Sequence, residues 1–198
     1  MKLLRKVKPI EVKRSFVISD FVSHHKYKEK QTSDISQAIY YKRIAHAKRV
    51  ILELPEHLLD MIINGEWAKR FRAYNKTQWY VGTVRTDEVG VWKKAGELPL
   101  AWTRGSLSET ADFVARALAN KSKQFKGHAR TAIPGILKNT LSMIQKEKYL
   151  FPVVLPGGTM GRKGLKKMKG DIDDGCMRSI ALAISGKKKI KMYIGKKK

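Results

Sequence analysis

One segment limits the possible folds of this chain more than any other: Gly170-Asp-Ile-Asp-Asp-Gly-Cys-Met-Arg178, a short extended stretch that passes through a glycine straight into an alanine-rich helical one. Around it the C-terminal part of the chain reads as strand, loop, short strand, helix and strand, over Phe151–Leu155, Gly157–Gly170, Asp171–Asp173, Met177–Ser185 and Lys189–Ile194. Gly186 stands where a helix C-cap belongs. This order predicts an α/β (α+β) fold with a small mixed sheet flanked by helices.

The segment has the makings of an anion site. A helix that begins at Gly175 offers unpaired backbone amides and the positive end of its dipole. Arg178 adds a guanidinium in the first turn, a position the dipole disfavours unless an anion is bound. Gly175, Cys176 and Arg178 are therefore candidate phosphate contacts. Upstream, residues 157–170 interleave glycines with Arg162, Lys163, Lys166, Lys167 and Lys169. Glycines let backbone amides approach an anion, and the cations add long-range attraction. Gly157, Gly158, Thr159, Arg162 and Lys163 are candidate nucleotide ligands; the plainer alternative is a flexible surface loop. The spaced Gly-Lys-Ser/Thr of a Walker loop is missing, which disfavours a conventional ATPase loop.

Asp171, Asp173 and Asp174 put three acids beside this cationic stretch. They could hold Mg²⁺, with Asp173 and Asp174 catalytic beside Arg178. Alternatively Asp174 caps the helix and the others pair with nearby lysines. In a strand, Asp171 and Asp173 share one face and Asp174 does not. Cys176 is either a thiol activated by a helix N-terminus or a small buried side chain.

Lys and Arg outnumber Asp and Glu by 42 to 17, a net charge of +25, which predicts a polyanionic partner, DNA above all. Lys123, Lys126 and Arg130, with Lys166, Lys167 and Lys169, are the candidate DNA contacts. An apolar content of 42% with four tryptophans excludes wholesale disorder. There is no run of about 18 apolar residues, so the chain is expected not to be an integral membrane protein. Met-Lys-Leu-Leu-Arg-Lys at the start lacks the features of a secretory signal, so a cytoplasmic location is expected. Cys176 has no second cysteine to pair with, and the five histidines show no zinc spacing. His128, next to Arg130, could reach a substrate or be an ordinary exposed loop histidine.

The rest of the chain predicts a strand over residues 10–19, a loop at His24–Lys30, and a basic helix over 33–48 with Ile35, Ile39 and Ile44 near one face, capped by Ser33 or Asp34. A short buried strand over 49–54 and a short helix from Pro55 ended by Gly65 follow. A hairpin is predicted between Asn75 and Trp92, with Asp87-Glu88 at its turn. Trp79, Tyr80 and Trp92 could stack on bases, although at strand spacing they are more often core. Ser106-Leu-Ser-Glu109 forms a capping box for a helix over 110–120, and an amphipathic helix over 131–146 carries Pro134 in its first turn. Residues 149–155 read as an apolar strand, and Lys196-Lys-Lys as a solvated tail.

The order strand, loop, Ile172-Asp-Asp-Gly175-Cys-Met-Arg178-x-x-Ala-Leu-Ala, Gly186 and Ile190-Lys-Met-Tyr-Ile resembles the core of the ParB/sulfiredoxin-like superfamily. The resemblance covers 105–195, leaving 1–104 as an N-terminal α/β extension packed on that core and 196–198 as a basic tail. Asp-Asp-Gly-Cys-Met-Arg before an alanine-rich helix is similar to the plasmid fertility inhibition group of the oncogenic suppression type. That resemblance implies a phosphate pocket at Gly175 and Arg178, DNA cleavage and ATP hydrolysis at one site, and interference with the coupling protein of a type IV secretion channel; together with the acids, the expected cofactors are Mg²⁺ and ATP. It places the protein in the cytoplasm at the inner face of the inner membrane. The alternative is a non-catalytic basic DNA-binding or inhibitor module.

Overall fold

The computed structural model describes residues 1–23, 37–62, 68–160 and 165–197. Alternation along the central strands determines how they are covered. Val153 and Leu155 enter one apolar cluster while Val154, between them, enters another; Tyr193 joins the first, Met192 and Ile194 the second. Both faces of the sheet are therefore buried under helices, as period-two alternation of uniformly apolar strands requires.

The strands are β1 (Lys2–Val7), β2 (Thr77–Arg85), β3 (Val89–Gly90), β4 (Val153–Leu155), β5 (Gly170–Asp174) and β6 (Lys189–Lys197). They form one mixed sheet in the order β1-β2-β6-β4-β5-β3. β1/β2, β2/β6 and β4/β5 are antiparallel; β4/β6 and β3/β5 are parallel. Strands from both sides of residue 104 thus share a single sheet. One face carries α1 (Pro9–Ser23), α2 (Gln37–Ile51), α3 (Glu56–Ile62) and α4 (Ala68–Asn75). The other carries α5 (Leu107–Ala119), α6 (Gly127–Asn139), α7 (Leu141–Ile144) and α8 (Cys176–Ile184).

Several predicted elements take another form. Residues 10–19 are helical: Pro9 opens α1, where its missing amide is harmless, and Val12, Phe16 and Ile18 are buried among α2, α4 and the sheet. Burial all round hid the helical period, so β-forming residue types misled. Residues 49–51 continue α2, because Ile51 extends the buried stripe Tyr40, Ile44 and Ala47; Ile39 lies off that stripe and is exposed. Ile35, Ser33, Asp34, the predicted loop at 24–30 and Gly65 lie outside the described residues.

The predicted hairpin does not form. β1 and β6 already fill both edges of β2, so β3 leaves it and pairs with β5. The predicted helix over 131–146 starts earlier, at Gly127, and breaks at Thr140, which places Pro134 within α6 rather than in its first turn. Residues 148–150 make a 3₁₀ turn rather than strand, and Lys196 and Lys197 pair with Gln78 and Thr77 instead of fraying. The capping box forms as predicted: Glu109 N–H donates to Ser106 Oγ at 3.2 Å and the Glu109 carboxylate accepts from Ser106 N–H.

Two ion-pair clusters tie distant segments together. Lys13 on α1 is fully buried and reaches Glu56 (2.9 Å) and Asp60 (2.7 Å) of α3. Glu88 accepts from Lys169 (2.8 Å) and from the Met1 amino group (2.7 Å), and these partners, Lys169 foremost, hold its carboxyl down at about 2. A carboxyl depressed by folding stabilises above its unfolded value of about 4.3 and loses that contribution as pH falls towards 2. Glu88→Gln is therefore expected to flatten the acid side of the stability profile between about pH 4.3 and pH 2. Urea unfolding at stepped pH checks this; a profile identical to that of the wild type would contradict it.

Candidate functional site

β5 ends at Asp174, and the chain turns through Gly175 into α8. The turn needs φ = +81° at Gly175, a left-handed conformation costly for any residue with a Cβ. A Cβ there would also lie 2.7 Å from Nη2 of Arg178, whose guanidinium folds back over the glycine and would have to swing aside. No side chain caps α8. Its first-turn amides accordingly face the end of the sheet, where ligands of α/β proteins gather.

A cavity of about 210 Å³ opens at this point. Gly175, Cys176, Met177 and Arg178 form one wall. Phe16 and Asp20 of α1, Tyr40 of α2, Arg70 of α4 and His128 of α6 also line it, together with Trp92 and with Asp173 and Asp174 at the end of β5. Both helical layers contribute, so the cavity exists only once the two faces of the sheet are covered.

Its charges are sharply ordered. Arg178 is 8% exposed; Nη2 donates to Asp174 Oδ2 at 2.8 Å, while Nε is buried with no hydrogen-bond partner. Asp173 lies deeper, 1% exposed, with both oxygens engaged. Oδ2 pairs with Arg70 Nε (2.9 Å) and accepts from the Tyr74 hydroxyl (2.8 Å). Oδ1 accepts from Thr159 N–H (2.7 Å) and the Thr159 hydroxyl. Arg70 also donates to the Asp173 carbonyl at 2.9 Å and lies 4.8 Å from the Phe16 ring centre. Burial, then the charge of Asp173, pushes the Tyr74 hydroxyl well above its ordinary value, so it remains a donor.

The predicted residues separate accordingly. Arg178, Gly175, Cys176, Asp173 and Asp174 come together at the cavity. Asp174 does not cap α8; it pairs with Arg178. Asp171 is buried beneath Gly158, away from the cavity lining. Gly157 (φ +77°) and Gly158 (φ +55°) form a turn that delivers Thr159 to Asp173, and none of the three lines the cavity. Arg162 and Lys163 lie outside the described residues. Lys169 is held by Glu88, Lys166 lies 3.9 Å from Glu109, and Lys167 is exposed. Lys123, before α6, and Lys126 and Arg130, at its start, are exposed.

Cys176 is buried, with its thiol pushed far up by desolvation, and donates to the Ile172 carbonyl at 3.6 Å, so it is no thiolate nucleophile. Trp79 is core; Trp92 reaches the cavity wall. Sequence reasoning missed Arg70, Tyr74 and Asp20, whose spacing from the C-terminal segment conceals their approach.

Among the described residues no group of three His, Cys, Asp or Glu is placed to hold a metal ion. The Asp171/Asp173/Asp174 set fits Mg²⁺ poorly, because Asp173 has no oxygen to spare and Asp171 is buried elsewhere. No described helix is long and apolar enough to cross a membrane. No family model, curated protein or solved structure matches the chain.

Proposed function

We propose that this protein binds nucleotide and DNA, taking a nucleotide phosphate into the cavity between β5 and α8. The observation that carries the reading is the Arg178 Nε, buried and without a hydrogen-bond partner in a cavity at an uncapped helix N-terminus. A buried guanidinium N–H without an acceptor costs free energy that an anionic oxygen recovers. The amides of α8 supply further donors, and the apolar wall of Phe16, Tyr40 and Trp92 suits a base or sugar. The charge of +25 supports a polyanion as the larger partner. Together with the resemblance of residues 105–195 to ParB/sulfiredoxin-like cores, this supports a role as a plasmid fertility inhibition factor that hinders DNA transfer at the coupling protein of a type IV secretion channel, at the cytoplasmic face of the inner membrane.

Arg178→Gln is expected to weaken ATP binding by about ten- to a hundredfold, the worth of one or two charge-assisted hydrogen bonds, with the unfolding midpoint little changed. Titration calorimetry measures the first and urea unfolding the second; unaltered ATP affinity would sink the assignment.

Hydrolysis of DNA and ATP is the second reading, favoured by Asp20 and Asp174 both lining the cavity. Cleavage of plasmid DNA with Mg²⁺ that disappears in Asp174→Ala supports it. Intact DNA with persistent, salt-sensitive binding supports the non-catalytic module.

A further inference from the structure

Cations from two separate parts of the chain, residues 5–14 and Lys148, converge on a second groove, of about 570 Å³, remote from the β5–α8 cavity. Arg5 and Lys6 come from β1, Lys8 and Arg14 from the start of α1 and the turn before it, and Lys148 from the 148–150 turn. The acid in the lining, Glu11, is already engaged by Arg5 at 2.9 Å and by the Tyr193 hydroxyl at 3.2 Å. Lys6, Lys8, Arg14 and Lys148 are thus left without a carboxylate among the described residues. The groove beside α5 differs, setting Arg104, Arg116 and Lys166 against Glu109 and Asp112.

Arg14 is preorganised. Its Nη2 donates to the Leu54 carbonyl at 3.0 Å, and its Nε is buried with no hydrogen-bond partner. Lys148 is steadied over the Tyr149 ring at 4.9 Å. Cations arrayed along an open groove, two of them held in place and one of those with an unused buried donor, match a chain of regularly spaced phosphates.

The groove is also in line with the cavity. Across the sheet Arg5 faces Val81, Val81 faces Tyr193, Tyr193 faces Val153 and Val153 faces Asp174. Four strand spacings separate the two ends of that row, about 19 Å. α1 touches both places, with Glu11 and Arg14 in the groove and Phe16 and Asp20 in the cavity wall.

We infer that the groove bounded by β1, α1 and the 148–150 turn holds the sugar-phosphate backbone of DNA. This rests on the nucleotide- and DNA-binding reading above and adds the surface that takes the polymer. It differs from the surface predicted from sequence, which put the DNA contacts at Lys123, Lys126, Arg130 and the lysines of residues 166–169.

The test is the salt dependence of binding of the full chain to a labelled DNA duplex. Lys6→Gln/Lys8→Gln/Lys148→Gln leaves Arg14 and its Leu54 hydrogen bond in place and changes only exposed side chains. It is expected to weaken binding at least about tenfold at 0.1 M salt and to lower the slope of log K against log salt by about 0.9 for each phosphate that is no longer neutralised. A charge-matched control, Lys123→Gln/Lys126→Gln/Arg130→Gln, is expected to change the slope much less. Arg14→Gln alone is expected to weaken DNA binding with ATP affinity unaltered. A groove variant that keeps the wild-type slope, or a control whose slope falls as much, overturns the inference. So does RNA that competes better than DNA. If wild-type protein binds no DNA at all, the reading of the function fails instead, and ATP titration of Arg178→Gln reports on the cavity independently.

Discussion

Asp173→Ala is expected to cost about 3–5 kcal/mol of folding free energy, a large share of what a domain of this size has. The aspartate joins three segments: β5 itself, the distant α4 through Arg70 and Tyr74, and the glycine turn just upstream through Thr159. Truncation leaves the Arg70 guanidinium, 4% exposed, without its counter-charge, along with a buried hydroxyl and a backbone amide lacking acceptors. The unpaired buried charge dominates; the change in side-chain volume is minor. Urea unfolding of wild type, Asp173→Ala and Asp173→Asn measures it. The asparagine variant is expected to fall between, since its amide oxygen still accepts while the charge is gone. A loss under about 1 kcal/mol for Asp173→Ala would show that the network is dispensable. Asp174→Ala is expected to be far milder, because its partner Arg178 sits at a cavity rather than in packed core.

Trp79→Ala is expected to destabilise by a similar amount, about 3–5 kcal/mol, through the cavity it opens. Trp79 is fully buried on β2, its ring edge-on to Tyr74 with centroids 4.9 Å apart, and its Nε1 donates to the Tyr74 carbonyl at 2.9 Å. Tyr74 in turn meets Phe71 and Phe16, so the indole buttresses the ring whose hydroxyl holds Asp173. Trp79→Phe keeps most of the volume and loses the hydrogen bond, for an expected cost of about 1–2 kcal/mol. On the DNA-binding reading proposed above, DNA affinity per folded molecule is expected to be unaltered in Trp79→Phe, because the indole is inaccessible. Weaker DNA binding with stability intact would mean that the ring stacks on bases after all.

The C-terminal segment was largely legible because its signals are local. Glycine at Gly175 and Gly186, the alternation in β5 and β6 and the apolar face of α8 act over a few residues, and strand, turn, helix and strand lie close to where those signals predict them. The capping box at Ser106 was legible for the same reason: donor and acceptor lie three residues apart. α1 was misread because a helix buried on nearly every side loses its polar face, and with it the period that marks a helix. The hairpin failed for a non-local reason. Whether β2 pairs with β3 depends on which strands already hold its edges, and β6 lies more than a hundred residues away in sequence.

The same division applies to the site. Arg178, Gly175 and the acids could be named in advance, since a strand running through glycine into a helix dictates where they meet. Their roles could not. Asp173 and Asp174 are adjacent and chemically alike, yet one is consumed by Arg70, Tyr74 and Thr159 while the other faces the cavity beside Arg178.

From sequence alone, then, came the α/β class, the strand-glycine-helix turn, the position of Arg178 in it and the net charge of +25. These rest on backbone geometry and composition, which act locally or over the whole chain. The tertiary structure decided which carboxylate is structural, that α1, α2, α4 and α6 close the cavity, and that the unbalanced cations gather between β1, α1 and the 148–150 turn. Each depends on side chains brought together from distant places in the sequence, and burial and partnership exist only once the chain has folded.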